Sequence, residues 1–176
     1  RTSDRWKLEA YADNFVSTTY RWDEDYTANI FLRLTIPLFS DRANLVIWGP
    51  LVEYFQIGSE VCRMRRIDSE IPIRKSISGD IYVSTDFMIL TQKQHGIDVS
   101  MRAAVKTASG NDYATARYYD NAGYFFDAAT SRTFTITPKR SEFSLSASGG
   151  FLCWQTDNGR QNDAVMYGLR ASYRYR

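Results

Sequence analysis

Few side chains in this sequence could carry catalytic chemistry, and their spacing argues against it. His95 is the single histidine, and it lies in the polar run Gln92-Lys93-Gln94-His95-Gly96. That run reads as a solvated turn. A Ser-His-Asp or Cys-His site would have to be built on this one imidazole. Cys62 and Cys153 are the two cysteines. A structural zinc site needs about four ligands, and these two with one histidine fall short. The sequence leaves a Cys62–Cys153 disulfide undecided, although Cys153 sits inside a strand-like pattern. There is no Walker loop, no dinucleotide turn, no His-Glu-x-x-His and no nucleophile elbow. Paired carboxylates could hydrolyse glycosides, but with 20 acidic residues some pair always looks suitable. The expectation is a protein without enzyme activity, metal or cofactor.

Charge placement is more informative. Arg33, Arg102, Lys106, Arg170 and Arg174 each fall on the polar side of an alternating segment. Glu9, Asp13, Asp86 and Asp98 are the candidate acidic partners. Charges enclosed in a narrow interior must pair, because an unpaired buried charge is strongly destabilising. One reading of Arg33, Asp86, Arg102, Lys106, Arg170 and Arg174 is therefore an ion-pair ladder that fills the interior. The other is a basic lining that favours anions in a pore.

The elements that would position these charges are strands. Tyr26, Ala28, Ile30, Leu32, Leu34, Ile36 and Leu38 form one apolar face, with Thr27, Asn29, Phe31, Arg33 and Thr35 opposite. Segments 97–107, 143–153 and 165–175 repeat this period of two, the signature of two-faced strands. Weaker strands are placed near 8–20, 45–57, 80–91 and 122–134. Pro50 marks the third strand as an edge or a bulge. That makes eight strands of about 11–14 residues, where ordinary strands average about 5–6. The connections beyond the first alternate between short (39–44, 92–96, 135–140) and long (58–79, 108–121, 155–163). An antiparallel meander would then carry short turns at one end and long loops at the other. The stretch Ser69–Gly79 reads as a long loop, so a single domain spans 1–176.

Composition narrows the class. The 176 residues carry 22 basic and 20 acidic side chains, a net charge of +2, which disfavours a nucleic-acid partner. Aromatics make up 15%, with 12 Tyr, 10 Phe and 4 Trp, which favours strands. No apolar run reaches the length of a membrane helix, but a membrane strand needs only about 9–11 residues. The chain begins at Arg1 with no apolar leader segment, so any signal peptide is expected to have been removed.

Alternation by itself leaves two fates. In a soluble barrel or sandwich the apolar face lines a core that could bind an apolar ligand or a carbohydrate. In a membrane barrel that face meets lipid and the polar face lines the lumen. Strand length, the Arg/Ser/Thr-rich polar face and aromatics near strand ends favour the membrane. Trp22, Tyr26, Trp154, Tyr173 and Tyr175 are the candidate interfacial rings. Arg63-Met64-Arg65-Arg66 is a basic cluster that could meet lipopolysaccharide phosphates, and Asp23-Glu24-Asp25 is an acidic turn.

Leu169-Arg170-Ala171-Ser172-Tyr173-Arg174-Tyr175 resembles the terminal strand of bacterial outer-membrane β-barrel proteins, although Arg176 follows the aromatic residue. Gly79-Asp80-Ile81-Tyr82-Val83-Ser84-Thr85, Lys106-Thr107-Ala108-Ser109-Gly110-Asn111, Ala116-Arg117-Tyr118 and Gly123-Tyr124-Phe125-Phe126-Asp127 are similar to stretches of an uncharacterised group of such barrels. The resemblance implies fold and location, not activity. The expectation is an all-β, antiparallel, up-and-down transmembrane barrel of about eight strands in a bacterial outer membrane. Its partners would be the lipid bilayer, lipopolysaccharide and other membrane proteins. Its role would be structural, or that of a passive pore or assembly component. A barrel enzyme acting on lipid is the least favoured reading.

Overall fold

The computed structural model describes residues 2, 4–16, 25–65, 73–111, 121–138, 140–156 and 160–175. The described residues form nine strands: β1 (Lys7–Val16), β2 (Asp25–Leu38), β3 (Ser40–Ile57), β4 (Ile73–Ile77), β5 (Tyr82–Leu90), β6 (Asp98–Lys106), β7 (Gly123–Thr137), β8 (Ser141–Thr156) and β9 (Arg160–Tyr175). Two short helices, α1 (Ser59–Arg65) and α2 (Gln92–His95), interrupt them. Neither is long and apolar enough to cross a membrane. All pairings are antiparallel, in the order β1-β2-β3-β5-β6-β7-β8-β9, with β4 on β3. The sheet curls into a half-barrel. Among the described residues β1 and β9 do not pair with each other, so the expected closed barrel is open along two edges.

The strands form where the alternation predicts them, but several run longer. β3 reaches 18 residues and β8 and β9 reach 16 each. The β8–β9 ladder runs on to Thr156↔Arg160, into the predicted long connection 155–163, of which 157–159 lie outside the described residues. At the opposite end the turn between β2 and β3 pivots on Phe39, whose φ is +49°. Leu38 pairs directly with Ser40 across it. Pro50 lies at a bulge, as expected: the β2–β3 register shifts between Ile30, opposite Val52, and Phe31, opposite Pro50. A proline cannot donate to the ladder, and the bulge removes that demand.

The expected loop 58–79 contains structure that period-two reasoning missed. β4 pairs with β3 from Glu53↔Ile77, and β5 pairs with the same edge of β3 up to Trp48↔Tyr82. β4 and β5 therefore lie end to end as one strand broken at residues 78–81. α1 packs on Phe55 and Ile57 through Val61 and Cys62, joined by Ile73 and Ile77. This small apolar core covers one end of the sheet.

Burial separates the two faces. Along β2 the buried positions are Asp25, Thr27, Asn29, Phe31 and Thr35, while Ile30 is exposed. Asn44, Glu53, Ser84 and Lys106 are buried on the same face, as the register requires. The opposite face exposes Leu8, Val52, Phe87, Met101, Val105, Phe126, Phe134, Leu145, Val165 and Leu169. In β7 every residue from Tyr124 to Phe134 on the outer parity is exposed, and every inner one is at least half-covered. The covered face is thus the more polar of the two, although Phe31, Val46, Phe55 and Phe125 are buried there as well.

Candidate functional site: the polar concave face

The concave face is layered. Register places Arg33, Asp86, Arg102, Lys106, Arg170 and Arg174, all six expected lining residues, on this one face. They do not form a single ladder. Arg33 approaches Glu9 at 4.0 Å and lies over the Trp48 ring at 5.7 Å. Arg102 pairs with Asp127, Nε to Oδ2 2.7 Å, and its guanidinium lies 5.0 Å from the Phe125 ring. Asp86 sits across the ladder from Arg102 and accepts from Ser84 Oγ at 3.0 Å. Arg174 meets Glu142 at 3.7 Å. The partner Asp127 was not singled out from sequence. Its signal was parity: it stands opposite Arg102 on an alternating strand.

Two expected acidic partners have other tasks. Asp98 accepts from the backbone N–H of Gln92 at 2.7 Å, satisfying an otherwise orphaned donor at the start of α2. Asp13 accepts from Asn29 Nδ2 at 2.6 Å.

Lys106 is held by a group that sequence reasoning left unpaired. Its ammonium donates to Asp80 Oδ2, to the Asn121 carbonyl at 2.6 Å and to Asn121 Oδ1 at 2.8 Å. Asp80 Oδ1 accepts from the backbone N–H groups of Ser109 and Gly110 at 2.9 and 2.7 Å. Both charged side chains are sealed from solvent, at 1% and 0% exposure. Around them the segment 107–111 wraps the β4–β5 break. Thr107 N donates to Ile81 O at 2.9 Å, Ile81 N to Ser109 Oγ at 3.0 Å, and Ser78 N to Asn111 Oδ1 at 3.1 Å. The stretches starting at Gly79, Lys106 and Gly123 thus meet at one place. Ala116-Arg117-Tyr118 lies outside the described residues.

An aromatic band sits beside this pin. Trp48 stacks on Tyr82 at 5.2 Å and meets Phe125 edge-on at 6.3 Å. Tyr82, Ala104 and Phe125 form its buried centre, with Leu152 and Met166 packed against it. Trp154, expected as an interfacial ring, lies here on the concave face. It lies opposite Gly123 on the inner parity of β8, and the Lys106 ammonium is 5.8 Å from its ring. A Cβ at residue 123 would collide with the indole, so glycine makes the room.

The other interfacial candidates divide. Tyr173 and Tyr175 are exposed on the outer face of β9. Tyr26 lies on the outer face of β2, 6.2 Å edge-on from Tyr54. Trp22 lies outside the described residues, as do Asp23, Glu24 and Arg66, while Asp25 is buried at the start of β2. His95 ends α2 at a turn and is exposed. Cys62 and Cys153 are free, buried thiols. Cys62 lies in the α1 core and Cys153 on the outer parity of β8.

No family model, curated protein or solved structure matches this chain. The geometry therefore carries the functional reading unaided. Towards the short-turn end the layers give way to small hydroxyl side chains: Ser100, Ser131, Thr133, Ser144, Ser146 and Ser172. They line a groove of about 300 Å³ with Arg170 and Arg174 at one side.

Proposed function

We propose that this chain is a β-barrel component of a bacterial outer membrane with a structural or passive role and no catalytic chemistry. The observation that carries the reading is the burial pattern: apolar side chains cover the exposed face, whereas charged and hydroxyl side chains share the covered one with an aromatic band. Water penalises such an outer face, and lipid rewards it. The strand lengths fit an apolar band about 25 Å tall when tilted.

The concave side suits a lumen that is mostly filled. Ion pairs, the Asp80–Lys106 pin and the aromatic band occupy much of it, leaving the hydroxyl-lined groove. Within a bilayer the backbone groups along β1 and β9 could not be left to hydrocarbon. In the membrane-embedded state both edges are therefore paired with strands, each other's or those of further polypeptide. The end bearing α1 and its exposed Arg63 is the external one in this reading, facing lipopolysaccharide phosphates.

The test is heat modifiability. The chain, expressed with a signal peptide, should be recovered from outer membranes as an SDS-resistant species whose gel mobility shifts on boiling. Recovery in the soluble fraction with no shift would overturn the reading.

A further inference from the structure

The concave face is lopsided, and the asymmetry points to a ligand. Around β2 and β3 its inner positions hold bulky groups: Phe31, Arg33, Trp48, Glu53 and Phe55. Across β6 to β9, below the aromatic band, most steps hold serine, threonine, alanine or glycine, interspersed with charged residues. Side chains this small leave space that the ion pairs do not fill. The resulting volume of about 300 Å³ is at the small end of ligand pockets. That is more room than an isolated inorganic anion needs.

Charge in the groove is not balanced pair by pair. Its carboxylates are Asp98 and Glu142. Asp98 is engaged by the Gln92 backbone N–H, and Glu142 faces Arg174 at 3.7 Å. Among the described residues Arg170 has no carboxylate partner. Its strand neighbour across the ladder is Ser146, and Ser144 and Ser172 face each other one step further on. A guanidinium presents a planar fork that fits carboxylate and phosphate oxygens. Hydroxyl groups beside it can donate to an anion and can exchange hydrogen bonds with a hydroxylated body.

We infer that this groove binds a small hydroxylated oxyanion, of the sugar-phosphate or sugar-acid class, with Arg170 holding the anionic group and Ser144, Ser146 and Ser172 facing the hydroxylated part. The groove's place inside a lumen rests on the barrel reading above; the binding itself does not.

The two are separated by measuring both on one preparation. Detergent-extracted protein is first scored for the heat shift, then titrated calorimetrically at low salt with glucose 6-phosphate, glucose and inorganic phosphate. Glucose 6-phosphate should bind more tightly than either fragment. Arg170→Ser should weaken it by about tenfold or more, the effect of losing a charge-assisted contact. Arg170→Lys should lie between. Arg132→Ser, on the outer face where its guanidinium lies over Phe134, should leave binding unchanged. Failure of heat-shiftable wild-type protein to bind glucose 6-phosphate would overturn the inference. So would equal affinities of wild type and Arg170→Ser, and so would inorganic phosphate binding as tightly as the sugar phosphate. Binding through Arg170 by protein that shows no heat shift would sustain the groove and sink the membrane reading.

Discussion

Lys106 and Asp80 form a solvent-sealed ion pair at the point where one strand of the sheet is broken into β4 and β5. Asn121 accepts two further bonds from the ammonium, and two backbone N–H groups donate to the carboxylate. A buried pair of this kind contributes little against an apolar replacement, but removing one partner strands the other. Asp80→Ala should therefore destabilise the fold by about 3–5 kcal/mol. Asp80→Ala with Lys106→Met should recover part of that loss. Urea unfolding of the refolded protein in detergent would report both. A single variant within about 0.5 kcal/mol of wild type, the range of ordinary surface changes, would refute the role.

Gly49 lies against the same break. A Cβ there would sit 2.6 Å from the Asp80 carbonyl oxygen and 3.3 Å from the Ile81 Cα, both backbone atoms that cannot swing aside. Gly49→Ala should cost about 1–3 kcal/mol, the range for overpacking. Gly149→Ala, where a Cβ meets nothing within 4 Å, is the matched control and should be near neutral in the same assay.

Leu34 and Ser144 test which face meets lipid. Leu34 shares the outer parity of β2 with Ile30, whereas Ser144 lines the concave groove. Leu34→Arg should lower stability in vesicles by about 2–4 kcal/mol near the bilayer midplane and reduce the heat-shiftable fraction. Ser144→Arg should leave the heat-shiftable fraction at the wild-type level. The reverse ranking would place the core on the other side of the sheet.

The edges make a separate prediction. β9 pairs with β8 along its whole length from Arg160 to Tyr175, and its other side has no ladder among the described residues. In a bilayer that side must be hydrogen-bonded. Amide exchange measured in outer-membrane vesicles should show protection at consecutive β9 residues, since both sides of the strand are then engaged. Protection at alternate residues only would mean a free edge and would contradict membrane insertion.

Cys62 and Cys153 should remain reduced in protein prepared without reductant, since they lie in separate parts of the fold. A maleimide reagent should label neither rapidly in the folded protein and both after boiling in SDS. Mass spectrometry that found them joined would contradict the fold described here.

How much of this was legible beforehand follows from what each feature depends on. Strand identity and parity are local: the period of two in 26–38, 97–107 and 165–175 is enough to put Arg33, Arg102, Lys106, Arg170 and Arg174 on one face. The same rule puts Trp154 on that face, since it alternates with Cys153 and Phe151. The α1 turn and β4 escaped because seven and five residues are too short for a period to declare itself.

Sequence by itself determined the antiparallel all-β class, the eight long alternating segments and the shared face of the charged residues, because side-chain direction along a strand is fixed by backbone geometry alone. Tertiary structure decided which of the two faces is covered, that the sheet curls without closing, and that Asp80 rather than a strand carboxylate neutralises Lys106. These depend on curvature and on contacts between segments distant in the chain, which no local pattern encodes. The Asp80–Lys106 pair spans 26 residues and exists only because the break after β4 and the chain beyond β6 are brought edge to edge.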